Sequence, residues 1–188
     1  MSCLKLIPDN YRLLHENVSL QAGPGYNSLI IHSQEISMES KVVWVHEMEF
    51  ENDNRGITSR MDSSPDFGGH NKGPTPKEAV LNAMCACAGI DVVSITKKMR
   101  LVLNSFKMEA SATKTKTIPS YFGSVHIRYY LEGQGESEKF INAVNLSMTK
   151  YCGVSYMISQ ACPITYEIYL NQQLIHKDEA KFTLEAIV

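Results

Sequence analysis

From Lys41 onward, apolar and polar residues alternate along the chain in the manner of β-strands. The segment KVVWVHEMEFE places Trp44, Met48 and Phe50 on alternate positions, and the segment ITSRMD resumes the alternation after the polar stretch NDNRG. A period of two is typical of strands with one buried face, and a short polar break between two such runs predicts a β-hairpin. The next segment, SSPDFGGHNKGP, is rich in Gly, Pro, Ser and Asp, which predicts a loop.

A long apolar helix is predicted from Pro76 to about Arg100. Thr75 is the candidate N-cap, Pro76 suits the first helical position, and Glu78 lies three residues after Thr75, as a capping box requires. The middle of the segment, residues 79–95, is apolar on nearly every side of the helix. A helix of that kind is usually buried all round, so we expect it to be the central helix of the fold.

The remaining pattern predicts two more strands, two more helices and a final strand. The segments SFKMEASATKTK and SVHIRYYLEG alternate as strands and are joined by the turn TIPSYFG. A helix is predicted from about Glu136, with a break at YCGV and a shorter helix over residues 154–161, before the strand ITYEIYL. Paired strands between helices, with no pattern of parallel crossovers, predict an α+β fold with antiparallel sheets.

The composition is that of an ordinary soluble protein. The chain has 188 residues, of which 44% are hydrophobic and 20% charged, and its formal net charge is -2. This balance gives no reason to expect nucleic acid or a membrane as a partner. The N-terminal segment MSCLKLIPDN is interrupted by polar residues and Pro8, so we expect no secretory signal and a cytoplasmic location.

The five cysteines do not resemble a disulfide framework, because their number is odd and they are scattered over the chain. Cys85 and Cys87 lie two residues apart on the predicted helix and are therefore separated by about 200° around its axis. They cannot bind one metal ion together, and the chain has no Cys-x-x-Cys or His-x-x-x-His pair to complete a zinc site. We therefore expect no metal site.

The ordinary role of a free cysteine is that of a small buried apolar residue. We assign that role to Cys3, Cys85 and Cys162, whereas for Cys87 and Cys152 a reactive role stays open. Cys152 lies at the break marked by Gly153, where a new helix begins, and a thiolate is stabilised near a helix N-terminus.

Two segments that contain these cysteines resemble the OsmC/Ohr family. The segment GPTPKEAVLNAMCACAGIDVVSITKKMR is similar to the family's Gly-Pro-x-Pro-x-Glu-Leu and Cys-x-x-x-Asp-Val-Val pattern, and TKYCGVSYMIS is similar to its Lys-Tyr-Cys-x-Val-Ser motif. The resemblance runs from about Val42 to Leu170. It implies an OsmC-like domain over residues 41–170, between an N-terminal extension (1–40) and a C-terminal tail (171–188). It also implies an intertwined homodimer with two long central helices packed together.

The same resemblance implies a thiol-dependent peroxidase that reduces organic hydroperoxides. Cys87 matches the family's reactive cysteine and Cys152 its resolving cysteine, while an external dithiol would restore the reduced enzyme. This chemistry implies no cofactor, since it needs no metal, flavin or haem. The apolar side chains of Val80, Met84 and Ile90 near Cys87 would favour organic peroxides over hydrogen peroxide. The alternative is a non-catalytic binding or redox-sensing protein that uses the same pocket at the dimer interface.

The charged residues that would support the reactive thiol differ from the family's pattern. In the hydroperoxide-resistance branch of the family, a glutamate follows the motif proline and acts with an arginine from the N-terminal hairpin. Here Lys77 occupies that position and Glu78, the capping-box residue, comes next. Arg55 and Arg60 are both candidates for the arginine, and Lys77 is an alternative source of positive charge.

Asp91 lies one helical turn after Cys87 and is the remaining polar residue of this segment. An ionised carboxylate so close to the thiol would oppose formation of the thiolate. The alternative is a structural role, in which Asp91 caps a helix or forms a hydrogen bond inside the core of the dimer.

Overall fold

The structure is a computed structural model that describes residues 38–184. Most of the predicted N-terminal extension, residues 1–37, and residues 185–188 lie outside the described part. The described elements are, in chain order, β1 (Lys41–His46), β2 (Glu49–Asn54), β3 (Ile57–Met61), α1 (Pro76–Lys98), β4 (Val102–Lys114), β5 (Phe122–Gln134), α2 (Ser137–Leu146), a π-helical turn (Ser147–Tyr151), α3 (Gly153–Ser159), β6 (Ile164–Leu170) and β7 (Gln173–Glu179). The α+β fold predicted from the sequence is confirmed.

The predicted hairpin is a three-stranded antiparallel sheet, in the order β1–β2–β3. The chain turns at Glu47, whose φ is 44°, within the segment that the alternation predicted to be one strand. The prediction missed this turn because Trp44, Met48 and Phe50 keep the same alternation on both sides of it. The second turn contains Arg55, with a φ of 60°, so this arginine is a turn residue.

Helix α1 begins where the sequence predicts, at a complete capping box. The Thr75 hydroxyl accepts a 3.4 Å hydrogen bond from the amide of Glu78, and the Glu78 carboxylate accepts a 2.8 Å bond from the amide of Thr75. These two reciprocal bonds pair two of the amides that a helix N-terminus otherwise leaves without partners. The helix ends at Lys98, two residues before the predicted end.

One face of α1 packs on a four-stranded sheet, and the opposite face is exposed in the single chain. Met84, Ala88 and Val92 are fully buried, with the four-residue spacing of a single helix face. Ile90 is 71% exposed and Val93 is 47% exposed. The apolar pattern predicted a helix that is buried on all sides, and within one chain this prediction is wrong for the face that carries these two residues. By length and composition α1 could cross a membrane, a property that core helices of globular proteins share.

The larger sheet has the order β4–β5–β6–β7 and differs from the predicted antiparallel arrangement at one pair of strands. The β4/β5 and β6/β7 pairs are antiparallel, whereas β5 and β6 pair in parallel from Val125↔Ile164 to Leu131↔Leu170. Parallel neighbours need a long crossover, and α2 with α3 supplies it. β7 extends the sheet beyond Leu170, into the segment for which the sequence predicted no element.

The core lies between the inner face of this sheet and the three helices. The largest fully buried side chains are shared between the helices and the two central strands of the sheet: Tyr129, Tyr166, Phe140, Met84, Ile127, Leu131, Met148, Ile164 and Ile168. Cys152 belongs to the same core, and Cys85 and Cys87 pack against its edge. The candidate thiols are therefore held between α1 and the short helix α3.

Candidate functional site

Cys87 and Cys152 come together from two different helices. Cys87 lies in the middle of α1, and Cys152 is the N-cap residue of α3. Both are free thiols, and their side chains are close enough to interact directly. The structure therefore brings together the two cysteines that the resemblance selected, although 65 positions separate them in the sequence.

A π-helical turn positions Cys152. The amide of Cys152 donates a 3.0 Å hydrogen bond to the carbonyl of Ser147, five residues earlier, which is the π-helical spacing. The amide of Ser155 then donates a 3.4 Å bond to the sulfur of Cys152 and so caps α3 with the thiol. Single π-helical turns of this kind occur frequently at functional sites.

The two thiols differ in their access to solvent. Cys152 has no exposed surface, whereas Cys87 is half-buried. Burial raises the pKa of the Cys152 thiol and the neighbouring Cys87 adds to the rise, while the hydroxyl and the amide of Ser155 oppose it, which leaves the pKa at about 11. At neutral pH the Cys152 thiol is therefore protonated.

Cys85, two residues before Cys87, is also half-buried. Burial raises the pKa of its thiol, so it is a weak nucleophile at neutral pH. The structural role predicted for Cys85 is consistent with its packing against the core.

Asp91, which is partly buried, forms a hydrogen bond with a residue of the π-helical turn. Its Oδ2 accepts a 3.0 Å bond from the hydroxyl of Ser147, which is fully buried. Burial raises the pKa of the Asp91 carboxyl, and the bond from Ser147 partly opposes that rise. Of the two roles considered for Asp91, the hydrogen-bonded one is therefore present in the structure.

Two buried hydroxyl groups near the thiols were not identified from the sequence. Tyr129 on β5 and Ser155 on α3 have no exposed surface, and their hydroxyl oxygens have no hydrogen-bond partner with good geometry among residues 38–184. Burial raises the pKa of Tyr129 well above its usual value, and the nearby Cys152 and Cys85 raise it further. The sequence did carry one signal for Tyr129: it is the only tyrosine in an otherwise aliphatic row on the inner face of β5, so its hydroxyl has to enter the core.

The two charged residues at the start of α1 are engaged away from the thiols. The Lys77 ammonium donates a 2.8 Å hydrogen bond to the carbonyl of Ser120, in the turn between β4 and β5. The Glu78 carboxylate is held by the amide and hydroxyl of Thr75, and these bonds lower the pKa of Glu78. Both contacts stabilise the start of α1.

The two candidate arginines lie in the three-stranded sheet. Arg60 forms a 2.6 Å ion pair with Glu49, whose side chain is 4% exposed, and a longer one of 3.6 Å with Glu51. Arg55 occupies the turn between β2 and β3. Within the described part of the chain, neither arginine forms a hydrogen bond with Cys87 or Cys152.

Other polar groups of the described chain form no comparable centre. No group of three or more His, Cys, Asp or Glu side chains within residues 38–184 is arranged to hold a metal ion. An open groove of about 420 Å³ lies on the sheet, lined by residues that include His126, Glu167 and Lys177. The groove is lined by strands β5 to β7 and the segment after them, and includes neither thiol.

Comparison with known proteins agrees with the fold and with the two motifs. A family model described as OsmC-like protein matches residues 69–167. Protein YhfA of Escherichia coli strain K12 is 30% identical over 131 residues, which cover 69% of this chain and 95% of YhfA.

Two solved structures share the fold. An OsmC-like protein from Mycoplasma pneumoniae has a TM-score of 0.63 at 13% identity, over 72% of this chain and 98% of that one. A putative organic hydroperoxide resistance protein from Vibrio cholerae, with captopril bound in one of its active sites, has a TM-score of 0.55 at 11% identity, over 77% of this chain and 98% of that one. With the match to the family model and to YhfA, the chain belongs to the family of OsmC-like proteins.

Proposed function

We propose that this protein is a thiol-dependent peroxidase that reduces organic hydroperoxides. The observation that carries the proposal is the direct interaction between Cys87, which is partly accessible, and Cys152, which is fully buried. A two-cysteine peroxidase needs one thiol that a peroxide can reach and a second within bonding distance of the first. Membership of a family that includes organic hydroperoxide resistance proteins supports the same function.

The reaction needs no group beyond the two thiols, the peroxide and a reductant. The sulfur of Cys87 attacks the outer oxygen of the peroxide, the O–O bond breaks, and the alkoxide takes the proton lost by the thiol and leaves as an alcohol. Cys87 becomes a sulfenic acid. Cys152 then attacks that sulfur, a disulfide forms, and the sulfenic oxygen leaves as water. An external dithiol reduces the disulfide and is itself oxidised to a disulfide.

The difference between the two thiols supports their assigned roles. Burial keeps Cys152 away from solvent, and its pKa of about 11 keeps it protonated at neutral pH, so it does not compete for the peroxide. Cys87 is the thiol that a substrate reaches. The half-buried position of Cys87 therefore supports its assignment as the reactive cysteine, and the buried position of Cys152 supports its assignment as the resolving one.

Apolar side chains around Cys87 support an organic peroxide as the substrate. Val80 and Ile90 lie seven residues before and three residues after Cys87, which places them on its side of α1. Val80 is 43% exposed and Ile90 is 71% exposed in the single chain. An alkyl or aryl hydroperoxide would gain by burying its carbon skeleton against this surface, whereas hydrogen peroxide has no carbon skeleton to bury.

We further propose that the protein is a homodimer in which a second copy covers the outer face of α1. Ile90 and Val93 are large apolar residues that a single chain leaves exposed on a central helix, and β1 adds the exposed side chain of Trp44. Exposed apolar surfaces of this kind mark contacts between proteins. The resemblance to the OsmC/Ohr family implies a second copy of the chain as the partner.

One observation favours a second candidate function, a redox-sensing or binding protein without rapid turnover. Lys77 and Glu78, which stand where the family's supporting glutamate is expected, are bound at Ser120 and Thr75 and are not directed at Cys87. A thiol with no cation next to it reacts more slowly with peroxides. In that case the same two cysteines would form a disulfide once per oxidation event, without repeated turnover.

The two functions are separated by measuring the consumption of cumene hydroperoxide with excess dithiol. For the peroxidase we expect many turnovers per protein in the natural chain and none in Cys87→Ser. In Cys152→Ser, assayed without dithiol so that no external thiol reduces the sulfenic acid, we expect one turnover and a sulfenic acid that dimedone traps. Cys85→Ala is the matched control on the same helix and should retain full turnover. Equal consumption by Cys87→Ser would refute the peroxidase, and a single turnover in the natural protein would favour the redox sensor.

A further inference from the structure

Two hydroxyl groups are buried beside Cys152 without hydrogen-bond partners in the described chain. They belong to Tyr129 and Ser155, whose side chains have no exposed surface. A buried hydroxyl without a partner destabilises the folded state by about 1–3 kcal/mol, and such groups are rare in native proteins. Because these two hydroxyls do not stabilise the fold, their position near one sulfur indicates another role.

The geometry around Cys152 indicates what the hydroxyls serve. The amide of Ser155 already donates to the Cys152 sulfur at 3.4 Å, and the hydroxyl of the same residue lies beside that sulfur. Tyr129 approaches from β5, close enough to interact electrostatically with Cys152. The sulfur thus has the amide and the hydroxyl of Ser155 beside it and the phenol of Tyr129 within electrostatic range, and only the amide is engaged in a well-formed bond.

We propose that the hydroxyls of Ser155 and Tyr129 are positioning residues that donate to the sulfur of Cys152 when it becomes negatively charged. The inference rests on the proposed function, because it assigns these donors to the step in which Cys152 forms the disulfide. In that step Cys152 loses its proton, its sulfur bonds to the sulfur of Cys87, and the S–O bond of the sulfenic acid breaks. The departing hydroxide takes up a proton and leaves as water.

The donors address the chief obstacle to this step, which is the burial of Cys152. Burial raises the pKa of the Cys152 thiol, and the value stays at about 11 although the hydroxyl and amide of Ser155 act in the opposite direction. Burial likewise raises the pKa of Tyr129 well above its usual value, so the phenol keeps its proton and stays a donor at every pH at which the enzyme would work. Hydrogen bonds to a charged acceptor are about twice as strong as those between neutral groups, so both hydroxyls bind the thiolate better than the thiol.

The test follows attack by Cys152 without using a peroxide. In a chain with Cys3→Ser, Cys85→Ala and Cys162→Ala, Cys87 is converted to a mixed disulfide with 5-thio-2-nitrobenzoate. Release of the second thionitrobenzoate then reports attack by Cys152 and can be timed in a stopped-flow instrument. We expect Ser155→Ala and Tyr129→Phe each to slow this release about tenfold at pH 7, since each removes one donor to the thiolate.

Two further measurements separate positioning from a structural role. The rise of the release rate with pH should move to higher pH in both variants, and Ser155→Thr, which keeps the hydroxyl, should restore both the rate and the profile. Because the lost hydroxyls have no partner, the Tm of both variants should equal or exceed that of the parent. The other titratable groups that act on these two residues are unchanged in both variants: Cys87 acts on Cys152, and Asp91 and Tyr166 act on Tyr129.

The chain provides matched controls for both hydroxyls. Ser159, on the same helix as Ser155, donates a 2.7 Å bond to the carbonyl of Tyr156, and Tyr130, next to Tyr129, donates a 3.1 Å bond to Glu109. Ser159→Ala and Tyr130→Phe should leave the release rate unchanged. Unchanged release in both Ser155→Ala and Tyr129→Phe would overturn the inference, as would slower release accompanied by a lower Tm. If the release rate depended on the two hydroxyls but the protein did not turn over peroxide, the proposed peroxidase function would be wrong, and the role of the hydroxyls as donors to Cys152 would stand.

Discussion

The hydroxyl of Ser147 donates a 3.0 Å hydrogen bond to Oδ2 of Asp91 and thereby joins the π-helical turn before Cys152 to α1 one turn after Cys87. Because Ser147 is fully buried, this contact is a fixed connection between the two helices that carry the thiols. The relative position of the two sulfurs therefore depends on a polar contact as well as on apolar packing.

Replacing Asp91 by asparagine should stabilise the protein at neutral pH and not at acid pH. Burial raises the pKa of Asp91, so the native state binds this proton more tightly than the unfolded state, and that stabilising contribution is lost as the pH rises through the native pKa. The asparagine side chain would keep an acceptor for Ser147 without the charge. The gain at pH 7 should be less than about 1 kcal/mol, because the carboxyl is partly exposed and screened.

Urea unfolding at pH 7 and at pH 3 measures this difference. The midpoint of Asp91→Asn should exceed that of the natural protein at pH 7 and match it at pH 3. Asp66→Asn, at an exposed aspartate in the short 3-10 helix Pro65–Phe67 before α1, is the control, and its difference from the natural protein should be alike at both pH values. A lower midpoint for Asp91→Asn at pH 7 would contradict the prediction. It would show that the hydrogen bond of the ionised carboxylate with Ser147 stabilises the fold by more than the burial of its charge destabilises it.

The capping box at the start of α1 should act on stability and not on the chemistry of the thiols. Thr75→Ala removes the hydroxyl that accepts from the amide of Glu78 and should cost about 1 kcal/mol. Glu78→Gln weakens the reciprocal bond. Because hydrogen bonds from Thr75 lower the pKa of Glu78, the natural contribution of Glu78 is present above the unfolded pKa and is lost as the pH falls through the native one.

The decisive measurement for Glu78 is the rate at which Cys87 reacts with cumene hydroperoxide, compared with the urea midpoint at pH 7. In both capping variants the midpoint should fall while the rate stays within twofold of the natural value. If Glu78→Gln instead slowed the reaction tenfold with the midpoint intact, Glu78 would be a supporting residue of the site.

Local features of the fold were predictable from the sequence, and long-range ones were not. The capping box of Thr75 and Glu78 and the strand Ile164–Leu170 depend on neighbouring residues only, and both are present as predicted. The parallel pairing of β5 and β6 depends on how α2 and α3 pack, for which no short segment carries a signal. The same limit explains the missed turn at Glu47, where the alternation continues unbroken.

The candidate site shows the same division. Helix geometry separates Cys85 from Cys87, but the choice of Cys152 as the partner came from the resemblance, since the two motifs meet only in the tertiary structure. Tyr129 shares the inward row of β5, so the strand pattern identifies it as a core residue and says nothing about its hydroxyl. Polar groups that depend on two or three packed elements are recognised only when those elements are placed.

Replacing Ile90 by glutamate should convert the proposed dimer into a monomer. Ile90 is 71% exposed on the outer face of α1, so a second copy that covers this face would bury the charge of the new side chain without a partner. Sedimentation velocity measures the outcome, with the natural protein expected as a dimer. Ile118→Glu, at a fully exposed residue in the turn between β4 and β5, is the control and should remain dimeric. A dimeric Ile90→Glu would place the interface elsewhere.

The ion pair of Lys177 with Glu167 should stabilise the larger sheet in a manner that depends on pH. Lys177 donates a 2.7 Å bond to Glu167, and Tyr169 donates a second bond of 2.8 Å. These bonds, of which the one from Lys177 has the larger effect, lower the pKa of Glu167 from 4.5 to about 2. A carboxyl with a lowered native pKa stabilises the fold above its unfolded pKa, and that contribution is lost as the pH falls from about 4.5 to about 2. Lys177→Met should therefore lower the Tm at pH 7, by no more than about 4 °C because the lysine is exposed.

Thermal unfolding followed by circular dichroism at pH 7, 4 and 2 measures the effect of the ion pair. The difference in Tm between Lys177→Met and the natural protein should shrink from pH 7 to pH 2, because Glu167 becomes protonated in both. Lys181→Met changes another lysine that lines the same groove and should show a smaller difference with less dependence on pH. A difference that stays constant down to pH 2 would mean that Lys177 stabilises β7 through the packing of its alkyl chain, since packing does not depend on the charge of Glu167.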